Sequence, residues 1–163
     1  YRATELGVPQ LTQLITAIET INDTQRSAVT HIAVRSLGDE VTGRRVAVLG
    51  AAFKPGTDDT RNSPALTVAA QLAALGAEVR VYDPQARVDL PRLTQCPSLD
   101  EALDAADLVL HLTEWPQFRQ LDPAALGSVV RRKVLIDARL RLDRDAWQRA
   151  GWQVIQPGRA TSR

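Results

Sequence analysis

The sequence predicts an α/β chain in which a doubly wound, mainly parallel sheet follows a long N-terminal helix. Three observations predict it. Short runs such as Val46-Ala-Val-Leu49 are continuously apolar rather than alternating, as strands covered on both faces are. Stretches with helical signals lie between these runs, so strand and helix alternate along the chain. Ahead of the first strand, residues 9–37 carry apolar side chains at three- and four-residue spacing, the pattern of an amphipathic helix.

In chain order, residues 1–7 read as the tail of a helix closed by Gly7. A second, long helix begins at Pro9. Leu11, Leu14, Ile15, Ile18, Ile21, Ala28, Val29 and Ile32 form one stripe that continues to about Leu37, with His31 on the polar side. Gly38 and Gly43 then break the chain. A minimal α/β unit has no such helix; it either packs across the sheet or joins another domain or subunit, and the joining role is expected. Strand 46–49 ends at Gly50. Helix 63–75 follows, capped by Ser63, with Pro64 at its first position, where a missing N–H costs nothing, and Gly76 as its stop. Strand 78–82 ends at Asp83-Pro84, and the residues around Leu93 and Cys96 read as a loop. Ser98 caps helix 99–105, and Glu101 completes a capping box. Strand 108–112, helical turns near 117–120 and 123–126, strand 133–136, helix 144–150 and strand 153–155 complete the pattern. The expected organisation is a helical linker over 1–38, an α/β domain over 44–158 and a disordered tail over 159–163.

A chain of 163 residues with ordinary apolar content can bury one real core. Its net charge is +1 with acids and bases interspersed, so no charged block marks a nucleic-acid or membrane surface. Aromatics are too few for a base-stacking platform. No apolar run spans a bilayer and no signal peptide is visible. A single cysteine, Cys96, forbids an internal disulfide and fits a reducing, cytoplasmic compartment. The chain opens at Tyr1 and contains no methionine, so a fragment of something longer is expected.

The polar residues cluster after the strands: Lys54 and Arg61 after the first, Asp83 after the second, His111 to Glu114 after the third, Asp137 and Arg139 after the fourth. In a parallel sheet these emerge along one edge, where ligands of open α/β sheets bind. Lys54, Arg61 and Arg139 can converge on an anion, arginine as a bidentate fork and lysine as a compact charge. Free N–H groups at the start of helix 63–75 add to the attraction. Equally, these cations can pair with Asp58, Asp59, Asp83 and Asp137 and only hold the loops. The dinucleotide fingerprint is missing: Gly50 and Gly56 are six apart, and Phe53-Lys54 stands where glycine lets a pyrophosphate approach. Asp83 occupies the place of a ribose-binding acid or, alternatively, forms a turn before Pro84. The unit is Rossmann-like without the usual nicotinamide-dinucleotide grip. Cys96 has no basic neighbour and reads as a structural thiol. His31 and His111 lack metal-ligand spacing, and His111 reads as a core or pocket-edge residue. Asp58-Asp59, between Thr57 and Thr60, suggests an Asx-type loop as readily as a metal site.

The segment Gly50-Ala-Ala-Phe-Lys-Pro-Gly-Thr-Asp-Asp-Thr-Arg-Asn-Ser-Pro64 resembles the G-x-A-F-K-x-x-T-D-D-x-R-x-S-P signature of the UDP-glucose 6-dehydrogenase and GDP-mannose dehydrogenase family, in its C-terminal, UDP-binding domain. Val81-Tyr-Asp-Pro84, Thr113-Glu-Trp-Pro116 with Phe118, Asp137-Ala-Arg139 and Gly158-Arg159 follow in the family's order. The helix with Ile21-Asn22-Asp23 and Gln25 is similar to the family's central, dimer-forming helix, so a homodimer is implied. The family oxidises the sugar C6 alcohol to a carboxylate in two NAD-dependent steps through a cysteine-bound intermediate. Residues 1–163 contain neither the glycine-rich NAD domain nor the Gly-Gly-x-Cys-Phe segment, and Cys96 does not match the nucleophile. The resemblance therefore implies a piece that binds a UDP-sugar but neither binds NAD in the family's manner nor turns over. By the same resemblance Phe53 and Lys54 meet the UDP-sugar, Lys54 at its diphosphate or sugar, and Arg139 approaches the uridine side. Asp58, Asp59 and Arg61 either join that site or hold the loop. The family often has Asn after this arginine; Leu140 stands there and removes an amide from the rim. Two alternatives from other classes remain: a non-catalytic dimerisation module acting through the long helix, and an atypical NAD-binding domain.

Overall fold

The computed structural model describes residues 9–159, with some side chains of the first half of the opening helix left undescribed. The expected helix tail over 1–7 and positions 160–163 of the expected tail lie outside the described residues. Helix α1 (Pro9–Ser36) precedes β1 (Arg45–Leu49), α2 (Pro64–Ala74), β2 (Glu78–Tyr82), β3 (Leu93–Gln95), α3 (Leu99–Leu103) and β4 (Leu108–His111). A 3-10 turn (Pro116–Gln120), α4 (Pro123–Leu126), β5 (Val134–Asp137), α5 (Arg144–Arg149) and β6 (Gln153–Ile155) follow.

The six strands form one sheet in the order β3-β2-β1-β4-β5-β6, and every pairing is parallel. This is the doubly wound order, which reverses between β1 and β4. The central strands are buried along nearly their whole length, which is why their sequences are continuously apolar. β3 is a correction: the loop expected around Leu93 contains a three-residue edge strand paired to β2. Thr94 and Gln95 are exposed, so the segment carries no apolar run to announce it.

Helix α2 starts as its sequence dictates. Ser63, in extended conformation, accepts from Leu66 N–H, and Pro64 follows. The helix buries Ala65, Leu66, Val68, Ala69, Leu72 and Ala73. Each of the larger of these side chains contributes roughly 1.5–3 kcal/mol by leaving water. Ser98 caps α3 through Glu101 N–H at 3.2 Å, though that helix ends at Leu103 rather than at 105. Helix α1 packs on α2 through its C-terminal half, where Thr30 and Ala33 are buried, and Leu37 just beyond its end is buried too. Its apolar stripe does not stay buried: Ile18 and Ile21 are 49% and 57% exposed.

Register sets the functional edge. Leu49 pairs with Tyr82 on one side and His111 on the other, and His111 pairs with Asp137. The residues that follow these four therefore leave the sheet side by side.

Candidate functional site

The loop after β1 leaves at Gly50, which has φ of +95°. A Cβ there would fall 2.4 Å from Thr113 Cβ and 2.8 Å from Thr113 N. Only glycine permits that approach, and it brings the β1 and β4 loops into contact at the reversal point of the sheet. Thr113 Oγ1 donates to Ala52 O at 2.9 Å and fastens the contact.

Asp83 fastens the other side. Ala51 N–H and Ala52 N–H donate to its Oδ2 at 2.7 and 3.0 Å, and the Trp115 indole donates to the same oxygen at 3.0 Å. Gln85 and Ala86 N–H donate to Oδ1 at 2.9 and 2.7 Å. Burial pushes this carboxyl up, but the N–H bonds from Ala86, Ala51, Ala52 and Gln85 together hold it below its ordinary range. Of the two readings of Asp83, the turn-forming one is realised, with three further donors added. No oxygen is left over for a ribose.

Beyond Ala52 the loop folds back on itself. Phe53 N–H donates to Asp59 O at 2.8 Å, and Asp59 N–H donates to Thr57 Oγ1 at 3.1 Å. Phe53 presents its ring to solvent at 51% exposure. Lys54 is exposed, and among the described residues no carboxylate or carbonyl holds its ammonium. Arg61 is held differently: its Nε and Nη2 donate to Asp59 Oδ1 and Oδ2 at 3.0 and 2.8 Å. That bidentate pair lowers the Asp59 carboxyl to about 2. Asp58 is exposed. Phe53, Asp59, Arg61 and Asn62 bound an open hollow of about 300 Å³.

Arg139 emerges after β5, two strands and therefore about 10 Å from β1. Its Nε donates to Glu114 Oε2, and this bond, foremost among several causes, holds the Glu114 carboxyl below its ordinary range. The Arg139 backbone N–H donates to Asp137 Oδ1 at 3.1 Å. Asp137 also accepts from Arg141 and Leu142 N–H, from Gln156 Nε2 and, at 2.8 Å, from Nδ1 of the fully buried His111. His111 is thus a core residue; an ionised Asp137 fixes its Nδ1 as the donor.

The cations and acids therefore sort themselves. Arg61 pairs with Asp59, Arg139 pairs with Glu114, and Lys54 is left open. Asp83 and Asp137 are not side-chain partners of these cations; loop amides fill them together with Trp115 on Asp83 and His111 and Gln156 on Asp137. From sequence alone Val81-Tyr-Asp-Pro84 offered only the two readings of Asp83, and Thr113-Glu-Trp-Pro116 had no assigned role. Their position after β2 and β4, the two strands that flank β1, was the signal that they meet. Cys96 is buried after β3, and burial pushes its thiol up, as suits a structural cysteine. Groups of three or more metal-ligating side chains are absent among the described residues. Leu140 has φ of 56° and is 39% exposed.

The fold and this edge define a Rossmann-type domain in which the chain's own Asp83 carboxylate takes up the amides at the end of β1. The profile of the UDP-glucose/GDP-mannose dehydrogenase family, UDP binding domain, matches residues 47–144, and the chain belongs to that family. It is 33% identical over 153 residues to a UDP-glucose 6-dehydrogenase of Rhizobium meliloti, covering 90% of this chain and 35% of that protein. To UDP-glucose 6-dehydrogenase YwqF of Bacillus subtilis it is 33% identical over 152 residues, 90% of this chain and 34% of the relative. The structure of a UDP-glucose dehydrogenase from Pyrobaculum islandicum superimposes with a TM-score of 0.73 at 30% identity, over 96% of this chain and 34% of that one. The chain thus spans about a third of the length of these relatives. No helix among the described residues is long and apolar enough to cross a membrane.

Proposed function

We propose that this chain is the nucleotide-sugar-binding domain, of UDP-glucose type, of a cytoplasmic NAD-dependent dehydrogenase that oxidises the C6 alcohol of its sugar to a carboxylate. The observation that carries the proposal is the Phe53–Lys54 pair. It combines an exposed ring with an ammonium that no group among the described residues neutralises, on a loop anchored at both ends. An unpaired lysine at a sheet edge supplies a charge-assisted contact for a diphosphate. Arg139 approaches the uridine side with its Nε already held by Glu114, so its outer N–H groups remain for the ligand. Asp59 and Arg61, locked to each other, support the loop, with Asp58 at its exposed tip.

In this proposal residues 1–38 end a linking helical region, 44–158 bind the UDP-sugar and 159–163 are a tail. Two copies pair through α1, a role supported by the exposed Ile18 and Ile21. NAD is the cofactor of the complete enzyme. The residues of this domain do not fit it, because Asp83 fills the amides at the end of β1 and the glycine fingerprint is missing. Residues 1–163 by themselves bind the substrate without turning it over.

Calorimetric titration of the chain with UDP-glucose tests the proposal. Lys54 is exposed, so Lys54→Ala leaves the fold intact, and losing one charge-assisted contact weakens binding by about tenfold or more. Equal, negligible heats from the native chain and the variant would sink the proposal.

A further inference from the structure

At the end of β1 three N–H groups point at one place: the amides of Ala51 and Ala52 and the indole of Trp115, at 2.7, 3.0 and 3.0 Å from a single oxygen. Converging donors of this kind form an anion position, and in a Rossmann sheet this is where a dinucleotide's pyrophosphate lies. Here the anion is the chain's own Asp83, 7% exposed, with its second oxygen taken by Gln85 and Ala86. Ala52 is gripped through both its backbone groups, its N–H by Asp83 and its C=O by Thr113. Phe53 and Lys54 follow immediately.

We infer that Asp83 is an internal anion with two roles: it positions the loop that presents Phe53 and Lys54, and it excludes a phosphate group from the end of β1. The positioning role as it bears on substrate rests on the nucleotide-sugar proposal above; the exclusion role stands on the donors alone. A carboxylate tethered to the sheet occupies the position at a far higher effective concentration than a free anion reaches. A pyrophosphate meets both that occupancy and the repulsion of a like charge. The acid that sits where a dinucleotide-binding sheet reads a ribose therefore does the reverse here: it turns the ligand outward, onto the loop.

The experiment compares the native chain with Asp83→Asn, Asp83→Ala and a control, Asp107→Asn. Asp107 is also buried but lies at the opposite sheet edge, where it accepts from Arg45 N–H and Arg131. Three readouts are taken: hydrogen exchange of peptides covering residues 50–63, calorimetry with UDP-glucose, and calorimetry with inorganic pyrophosphate. In Asp83→Asn, exchange over 50–63 rises about tenfold above the control, and UDP-glucose affinity falls about fivefold or more. Asp83→Ala gains pyrophosphate binding that the native chain and the control lack. The assignment is overturned if exchange over 50–63 is the same in Asp83→Asn and Asp107→Asn, or if a folded Asp83→Ala binds no pyrophosphate. If UDP-glucose binds none of the proteins while exchange and pyrophosphate behave as stated, the nucleotide-sugar proposal fails and the role of Asp83 stands.

Discussion

Trp115 and Asp83 meet through an indole N–H 3.0 Å from a buried carboxylate, and that bond ties the loop after β4 to the turn after β2. Between them runs the loop after β1, held by the same carboxylate through two of its amides. Three segments remote in sequence are thereby fixed relative to one another at the reversal point of the sheet. The exposed part of the β1 loop can then carry Phe53 and Lys54 on a rigid base, which lowers the ordering cost of binding.

The contact between Gly50 and Thr113 gives a sharp test of that base. Gly50→Ala forces a side chain into the left-handed region and places its Cβ 2.4 Å from Thr113 Cβ. Left-handed strain and overpacking each cost about 1–3 kcal/mol, so the variant loses roughly 2–6 kcal/mol in urea unfolding. Gly56→Ala meets nothing within 4 Å at φ of +82° and loses only about 1–2 kcal/mol. Equal losses at the two sites would show that the two loops are not in contact.

How much of this was legible in the sequence differs from residue to residue. β1, β4 and β5 announced themselves because strands buried on both faces read as apolar runs. Ser63-Pro64 announced the start of α2 because capping chemistry is local. β3 did not, because an edge strand with Thr94 and Gln95 in solvent has no apolar period. The Arg61–Asp59 pair was legible as an alternative, since the partners are two residues apart. The Asp83 node was legible only as a turn: three of its five donors lie 31 or 32 residues away, and two of those three are backbone amides, which carry no side-chain signature.

Acid should unfold the chain through these buried carboxylates. Asp83 and Asp137 both sit below their ordinary value of 3.8. In each, burial works against the charge and hydrogen bonds overcome it, with His111 first among the Asp137 donors. A depressed folded value means that the unfolded chain binds the proton more readily. The stability they contribute is therefore fully present above about pH 5 and is lost as pH falls through 4 and below. Urea midpoints measured from pH 7 to pH 2 are flat above pH 5 and drop steeply below 4. Asp83→Asn removes one titrating group and makes that drop shallower, by at most about 1.4 kcal/mol per pH unit. An unchanged acid limb in this variant would contradict the Asp83 geometry.

Glu114 pairs with Arg139 and orients it. The bond runs to Nε, which fixes the guanidinium plane and leaves the outer N–H groups open. The pair is partly exposed, so removing it costs at most about 1 kcal/mol of stability. Glu114→Ala instead frees a long side chain, whose immobilisation the ligand must then supply at about 0.5–1.5 kcal/mol. UDP binding by the chain weakens up to about tenfold in Glu114→Ala, and Glu114→Gln, which keeps an acceptor, stays within about threefold of native. Tighter binding in Glu114→Ala would mean that Glu114 competes with the ligand for Arg139.

Leu140 stands where the resemblance leads one to expect Asn, and its backbone supplies a reason for Asn that involves no ligand. At φ of 56° the residue is left-handed, a conformation that costs an ordinary L-residue about 1–2 kcal/mol and that Asn adopts more readily. Its side chain is partly exposed, so little packing is lost on replacement. Asn is favoured at this position by the turn that carries Arg139 away from β5, between the Asp137 carboxylate bonds to the N–H groups of Arg139 and Arg141. Leu140→Asn therefore stabilises the chain by about 0.5–1 kcal/mol in urea unfolding, and Leu140→Gly does so by less, because glycine gains freedom in the unfolded chain. UDP affinity stays unchanged in both variants. A gain in affinity confined to Leu140→Asn, with no gain in stability, would restore the amide as a ligand contact and remove the backbone explanation.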